Sequence, residues 1–201
     1  MNEFKTAVIL AGGKSKRMGF DKQLLTINKE LLINRTRQKL RAEFEDILIV
    51  TNTPEYYRSF DGRVISDEIE NAGPLSGIFS GLRAAKSRYA YFIACDMPNI
   101  NLNYIRFMKN RLAASRAAAC VTRCGEWIEP FNAFYARDII DAIKRDLTEN
   151  KTSIFYLIQK INCNYISEPE ARRFSPRWHM FTNLNTKEEL NAYLVNLALN
   201  R

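Results

Sequence analysis

Three short segments carry residue types that handle phosphates and metal ions. The first runs Leu10-Ala11-Gly12-Gly13-Lys14-Ser15-Lys16-Arg17-Met18-Gly19-Phe20-Asp21-Lys22. Paired glycines let a backbone turn tightly and bring bare N–H groups up to a phosphate. Arg17 can fork onto phosphate oxygens, and Lys22 can act there as a point charge. The run lacks the G-K-[ST] of a Walker A loop and the spacing of a G-x-G-x-x-G dinucleotide motif. A bare Gly-Gly pair is ordinarily a turn, but the basic residues, the late Gly19 and the position after an apolar strand favour an anion loop. The second segment, Gly73-Pro74-Leu75-Ser76-Gly77, is a rigid Gly/Pro loop leading to a helix N-terminus, where anions are favoured. A structural turn accounts for it equally well. The third, Cys95-Asp96-Met97-Pro98, sets a carboxylate directly after a strongly apolar run. Magnesium is usually held by one or two carboxylates plus substrate phosphates, so Asp96 is a candidate metal ligand. The plainer role for an isolated Asp there is to cap the next turn. Asp67 faces the same choice.

The elements that must position these residues follow from hydrophobic periodicity. Lys5 to Ala11, Asp46 to Thr51, Arg63 to Ser66 and Tyr89 to Cys95 read as strands. Helices are expected from Leu31 to Phe44, from a Thr53 cap with Pro54 in the first turn, from Ile78 to Lys86 and from Leu102 to Ala114. Further on, Ala117 to Thr122 and Phe131 to Ala136 read as strands, and Arg137 to Leu147 and Ser153 to Ile161 as helices. Residues 163 to 181 are mixed. Thr186-Lys187-Glu188-Glu189 has the form of a capping box opening a last helix. Strands alternating with helices up to about residue 115 imply a mostly parallel sheet with helices on both faces, an α/β three-layer α/β/α Rossmann-like fold. In such sheets ligands collect outside the carboxyl ends of the strands. The polar residues fall there: Gly12-Gly13 after the first strand, Asp67 after the third, Asp96 after the most apolar one.

The bulk numbers bound the class. With 201 residues and 46% hydrophobic content the chain suits a single domain over 1–201, nucleotide-binding to about 115 and acceptor-facing beyond it. No run of about 18 apolar residues suggests a membrane span, and residues 1–5 do not resemble a signal peptide, so a soluble cytoplasmic protein with no membrane partner is expected. Four scattered cysteines and one histidine assemble no local zinc set and read as reduced thiols. The net charge of +8 admits nucleic acid, but no basic stripe with aromatics or groove-reading helix is evident, so no nucleic-acid partner is expected.

The segment Leu10–Lys22 resembles the signature of the molybdenum cofactor guanylyltransferases (MobA), L-A-G-G-x-S-x-R-M-G-x-D-K, at every fixed position. Gly73-Pro74-Leu75-Ser76-Gly77 is similar to the family's G-P-L-x-G, and Cys95-Asp96-Met97-Pro98 to its C-D-x-P. Asn183-Leu184-Asn185-Thr186-Lys187-Glu188-Glu189-Leu190 is similar to N-x-N-T-x-E-E-L. The four matches come in order and span nearly the whole chain. One departure is Asn28-Lys29-Glu30-Leu31, where the family has a Gly-Lys-Pro-Leu turn. Asn28 would then supply the left-handed residue.

The resemblance implies transfer of GMP from Mg-GTP to the terminal phosphate of a molybdenum-molybdopterin cofactor, with release of pyrophosphate. It implies that Leu10, Ala11, Gly12, Gly13, Lys22, Asn52, Asp67, Gly73, Pro74, Leu75, Gly77 and Asp96 surround the nucleotide. Arg17, Lys22 and Asp96 would carry catalysis, with Asp96 on Mg²⁺, and Asn183 and Asn185 would face the acceptor. Its partners would be GTP, the pterin and, transiently, the enzymes that deliver and receive the cofactor. Two other readings stay open: a cytidylyl- or sugar-phosphate nucleotidyltransferase, and a nucleotide-binding module without turnover. The missing P-K-P before Lys22 and the presence of G-P-L-x-G weigh against the former.

Overall fold

Every residue of β1 (Thr6–Leu10) is buried, as is every residue of β4 (Asp46–Val50). Strands apolar on both faces must lie inside a covered sheet. β1 pairs in parallel with β4 on one side and with β6 (Tyr89–Ala94) on the other, and β4 pairs in parallel with β5 (Arg63–Ile65). The computed structural model describes residues 3–12, 26–27, 30–69 and 72–199. Beyond β6 lie β8 (Trp127–Ala136), β7 (Ala119–Cys124) and β9 (Cys163–Ser167). The seven strands run in the order β5-β4-β1-β6-β8-β7-β9. Only β8 runs against its neighbours, while β7 and β9 pair in parallel. A separate hairpin joins β2 (Thr26–Ile27) to β3 (Glu30–Leu31).

Alternation along β1 assigns the layers. Ala7 and Ile9 join an apolar cluster with Ile33 and Leu40 of α1 (Leu32–Leu40), Ile105 and Met108 of α3 (Leu102–Ser115) and Ala171 of α6 (Glu168–Arg172). Val8 and Leu10 join a second cluster with Ile78 and Leu82 of α2 (Pro74–Ala84), Ile143 of α4 (Ile140–Thr148) and Leu157 of α5 (Ile154–Lys160). The fold is therefore the expected three-layer α/β/α sandwich. The core contains four fully buried phenols that each find a hydrogen-bond partner. Tyr89 donates to the Ala117 carbonyl at 3.0 Å, Tyr91 to Asn132 Oδ1 at 2.7 Å and Tyr135 to the Pro130 carbonyl at 2.7 Å, while Tyr104 pairs with Thr122 Oγ1. Leaving one such hydroxyl unpaired would cost about 1–3 kcal/mol.

Several local expectations are corrected. α2 begins at Pro74, not at Ile78, so Leu75, Ser76 and Gly77 are helical rather than loop. Pro at the first helical position needs no N–H and is already set at a helical φ, so it opens the helix. The segment after Thr53 is a four-residue 3-10 turn, Pro54–Tyr57, and the Thr53 side chain makes no cap bond. The helix expected from Arg137 starts as a 3-10 turn, Arg137–Ile139, before α4. β8 starts at Trp127, four residues before the expected Phe131. The mixed stretch after residue 163 contains β9 and α6, which extend the same sandwich. The capping box is present: Glu189 N donates to Thr186 Oγ1 at 3.1 Å and Thr186 N to Glu189 Oε2 at 3.0 Å, opening α7 (Lys187–Leu199). All four cysteines are free thiols, and burial pushes Cys163 up to about 12. Among the described residues no helix is long and apolar enough to cross a membrane.

Candidate active site

The parallel register brings four strand ends level. Leu10 pairs with both Val50 and Ala94, and Val50 pairs with Ile65. The residues that follow, Ala11-Gly12, Thr51-Asn52, Ser66-Asp67 and Cys95-Asp96, therefore emerge along one edge. The strand order sets their sequence along it: Asp67, Asn52, Gly12, Asp96. With neighbouring strands ~4.8 Å apart, the row from Asp67 to Asp96 spans about 14 Å. Backbone hydrogen bonds tie it together: Ala11 N to Val50 O at 2.9 Å, Cys95 N to Leu10 O at 3.0 Å, Thr51 N to Ile65 O at 3.0 Å. From β1 the chain winds outward through β4 and β5, then returns to place β6 on the other side of β1. The loops after β1 and β6 thus flank the topological switch point, where open α/β sheets bind ligands.

Asp67 is oriented by α2. Ser80 Oγ donates to Asp67 Oδ1 at 3.0 Å, and Ser76 Oγ donates to the same oxygen. Ser80 Oγ also accepts from Glu68 N at 2.9 Å. Both serine hydroxyls thus converge on one carboxylate oxygen, and Oδ2 carries no hydrogen bond to a described residue. Asn52 is exposed beside it, in the next strand-end loop. Gly73 precedes α2 with φ 73 and ψ −166, a conformation essentially confined to glycine. Gly73 and Pro74 are exposed at the helix N-terminus, where unpaired N–H groups favour an anion. Leu75 and Gly77 lie deeper. Leu75 is fully buried, and a Cβ on Gly77 would stand 3.0 Å from Leu10 Cδ2. Their place is to let α2 lie close on the end of β1. Leu10 and Ala11 are likewise buried, so it is their backbone that faces the edge, and Gly12 is exposed. Gly13, Arg17, Lys22 and Asn28 lie outside the described residues.

Asp96 is 9% exposed at the end of β6. Its main-chain carbonyl accepts from Leu184 N at 2.9 Å, and Leu184 is buried against Leu32. That bond brings the distant 183–185 segment to the metal candidate and leaves Asn183 and Asn185 exposed on either side of it. A carboxylate at a strand end suits Mg²⁺, which takes hard oxygen donors and keeps waters and substrate phosphates as its other ligands. Among the described residues no cluster of three or more metal-ligating side chains exists.

The far wall of the site is the β7–β8 hairpin. β8 pairs with β6 up to Phe92↔Ala133 and, being antiparallel, runs back past the same edge as residues 127–130. Asn132 bends it, with φ 56 and 1% exposure. Its Nδ2 donates to the Met180 carbonyl at 3.3 Å, which docks the 178–185 segment on the sheet. Ser76, Ser80, Asn132 and Leu184 were not singled out from the sequence. Only the serines had a legible signal, an i,i+4 pair that puts both hydroxyls on one side of α2.

Residues 7–160 match the MobA-like NTP transferase domain family. The chain is 52% identical over 191 residues to a molybdenum cofactor guanylyltransferase of Syntrophotalea carbinolica, covering 95% of this chain and 91% of that protein. The chain belongs to this family. A probable molybdenum cofactor guanylyltransferase of Peptoclostridium acidaminophilum is 50% identical, with 94% and 88% covered. In fold, the chain resembles the crystal structure of molybdopterin-guanine dinucleotide biosynthesis protein A from Archaeoglobus fulgidus, with a TM-score of 0.84 over 96% of this chain and 98% of that one, at 20% identity. Membership of the family makes the chain a nucleotidyltransferase, and the row of strand-end residues is its candidate active site.

Proposed function

We propose that this MobA-like enzyme transfers GMP from GTP to the terminal phosphate of a molybdopterin-type acceptor and releases pyrophosphate. The observation that carries the reading is the level row Asp67, Asn52, Gly12, Asp96 across the switch point, closed on its acceptor side by the Leu184–Asp96 bond. The row suits a nucleotide laid along the edge with its base towards Asp67 and its phosphates between Gly12 and Asp96. The names of the 52% and 50% identical relatives support guanine as the base and the molybdenum cofactor as the acceptor.

Phosphoryl-type transfer asks the protein for alignment and charge cancellation more than for covalent help. The backbone of Gly12-Gly13 would donate to phosphate oxygens. Arg17 and Lys22 would stabilise the charge that grows on the departing pyrophosphate. Mg²⁺, when bound through Asp96 and the substrate phosphates, supplies further neutralisation of phosphate charge. The nucleophile is already an anionic phosphate oxygen, so no general base is required. His179, the chain's one histidine, is accordingly outside the row; its carbonyl accepts from Asn99. In this reading the enzyme works in the cytoplasm and passes its product on by transient contact with cofactor-using enzymes.

The test is a nucleotide panel on the purified protein, with GTP, ATP, CTP and UTP titrated calorimetrically with and without Mg²⁺. The expected result is Mg²⁺-dependent selectivity for GTP that Lys22→Ala removes. Asp96→Ala should slow GMP transfer by about 10²–10³-fold, the usual cost of one lost transition-state charge contact. Preference for CTP or ATP would overturn the assigned donor, and near wild-type turnover by Asp96→Ala would overturn the metal role.

A further inference from the structure

Glu129 differs from most of the partly buried acids of this protein and shares its lack of a cation with Asp67, whose hydrogen bonds come from Ser76 and Ser80. Asp46 pairs with Arg63, Glu43 with Lys109 and Arg106, Glu168 with Arg172, Glu170 with Arg111 and Asp146 with Lys160. Glu129 has no cation partner among the described residues. Its hydrogen bond comes from a neutral donor, Trp178 Nε1, at 3.4 Å, and burial raises its carboxyl above the usual range despite that bond. Trp178 itself is held in a left-handed conformation, φ 64. Its ring is clamped by Arg172, 4.9 Å from the centroid, and by Phe181, at 4.6 Å between centroids. A bulky residue at positive φ is costly and marks a place where the surroundings over-determine the backbone. Two residues before Glu129 on the same strand, Trp127 is 79% exposed at the start of the overhanging hairpin.

These groups sit on the acceptor side of the row. β8 lies beyond β6 in the sheet, away from β4 and β5, which carry Asn52 and Asp67. The Trp178 segment leads within six residues to Leu184 and its bond to Asp96. A carboxylate without a cation, next to an exposed indole, complements a flat heterocycle that offers adjacent N–H donors. A 2-amino-4-oxopyrimidine edge presents a ring N–H and an amino group side by side, a fork that a carboxylate accepts in two bonds. Indole supplies the stacking face.

We propose that Glu129 and Trp127, with Trp178 orienting the carboxylate, form the subsite that recognises the ring of the acceptor. Glu129 takes the aminopyrimidinone edge and Trp127 covers the ring face. The inference rests on the guanylyltransferase reading, because guanine carries the same edge as a pterin and only the direction of transfer separates the two. The strand order assigns Glu129 to the acceptor.

The test uses the full chain, 6-hydroxymethylpterin as probe and lumazine, which has oxygen in place of the 2-amino group, as control. Binding is followed by quenching of tryptophan fluorescence and by ligand NMR line broadening, and GTP affinity is measured in parallel. The wild type should prefer the pterin to lumazine. Glu129→Gln should weaken pterin binding by about tenfold or more and abolish that preference, the usual size for losing a charged hydrogen-bond acceptor. Trp127→Ala should weaken pterin and lumazine alike. Both variants should keep the wild-type GTP affinity. Pterin binding unaffected by Glu129→Gln, or absent in the wild type at millimolar probe, overturns the subsite while leaving GTP selectivity intact. Loss of GTP affinity in Glu129→Gln reassigns the edge to guanine and overturns it too. Failure of the wild type to bind GTP would instead count against the guanylyltransferase reading itself.

Discussion

Two glycines on α2, one turn apart, should respond differently to the same added methyl group. At Gly81 a Cβ would meet Phe92 Cε1 at 2.7 Å and Val8 Cγ1 at 2.9 Å. Both neighbours are fully buried, and the atoms met belong to a ring and a β-branched side chain rather than to the end of a flexible one. Comfortable carbon–carbon separation is about 3.5–4.0 Å, so the overlap approaches 1 Å. Overpacking of this kind costs about 1–3 kcal/mol, and the better helix propensity of Ala returns up to about 1 kcal/mol. A net cost of about 1–2 kcal/mol for Gly81→Ala should lower Tm by about 2–8 °C for a chain of this size. At Gly77 the Cβ would stand 3.0 Å from Leu10 Cδ2, the far end of a flexible side chain that is 9% exposed. That side chain can turn aside, so the propensity gain nearly cancels the contact and Tm should hold within about 2 °C. The displacement instead falls on the strand residue immediately before Ala11-Gly12. Gly77→Ala should therefore raise the KM for GTP by about tenfold, the size of a misplaced positioning group. Gly81→Ala, assayed well below its Tm, should keep the wild-type KM. Differential scanning calorimetry and initial-rate kinetics read the two effects separately. If Gly77→Ala proves as destabilising as Gly81→Ala, or changes Tm without changing KM, the assignment of Gly77 as backing for the nucleotide loop is wrong.

Other expectations follow from the same contacts. Asp46 is 8% exposed; burial pushes its carboxyl up, but hydrogen bonds from Arg63 at 2.8 and 2.6 Å and from Thr6 at 2.9 Å outweigh this and hold it below its ordinary value. A depressed carboxyl stabilises the fold above its ordinary pKa of about 4, and this stability fades as pH falls through the lower folded value. Asp46→Asn should cost about 3 kcal/mol at pH 7, the low end for a broken buried pair because the Arg63 side chain is 33% exposed. The gap from wild type should narrow below about pH 4, which urea melts across pH will show or refute; kinetics at low temperature should not change, since the pair lies at the edge opposite the site. Ser80→Ala removes one hydroxyl from Asp67 and the acceptor for Glu68 N. It should raise the KM for GTP by about 3–10-fold with kcat kept within about twofold, and an unchanged KM would show that Asp67 needs no such orientation.

Much of the site was legible in linear order because it is built from strand ends. β1 and β6 are short, continuous apolar runs that read as buried strands, and Gly12 and Asp96, which follow them, do emerge at one edge of the sheet. The start of α2 was misread. Pro74 and Gly77 look like punctuation in sequence, yet one opens the helix and the other lets it lie on Leu10. β8 begins four residues before the expected Phe131, because Trp127–Pro130 carries no clear alternation and is paired only through β7. Asn132, inside the expected strand, takes a left-handed conformation and bonds to Tyr91 and Met180, 41 and 48 residues away.

Local chemistry determined what the sequence could show by itself: the strands, the helix faces, the capping box at Thr186 and the candidacy of 10–22 for phosphate and of Asp96 for a metal ion. Which of these segments meet was decided by pairing. Register alone levels Asp67, Asn52, Gly12 and Asp96, and a single main-chain bond, Leu184 N to Asp96 O, brings residues 88 positions apart to one site. Glu129 became notable only because the fold paired most of the partly buried acids with cations and left this one with the Trp178 indole as its hydrogen-bond donor. A carboxylate's neighbours in three dimensions set its electrostatics, and spacing along the chain carries no record of them.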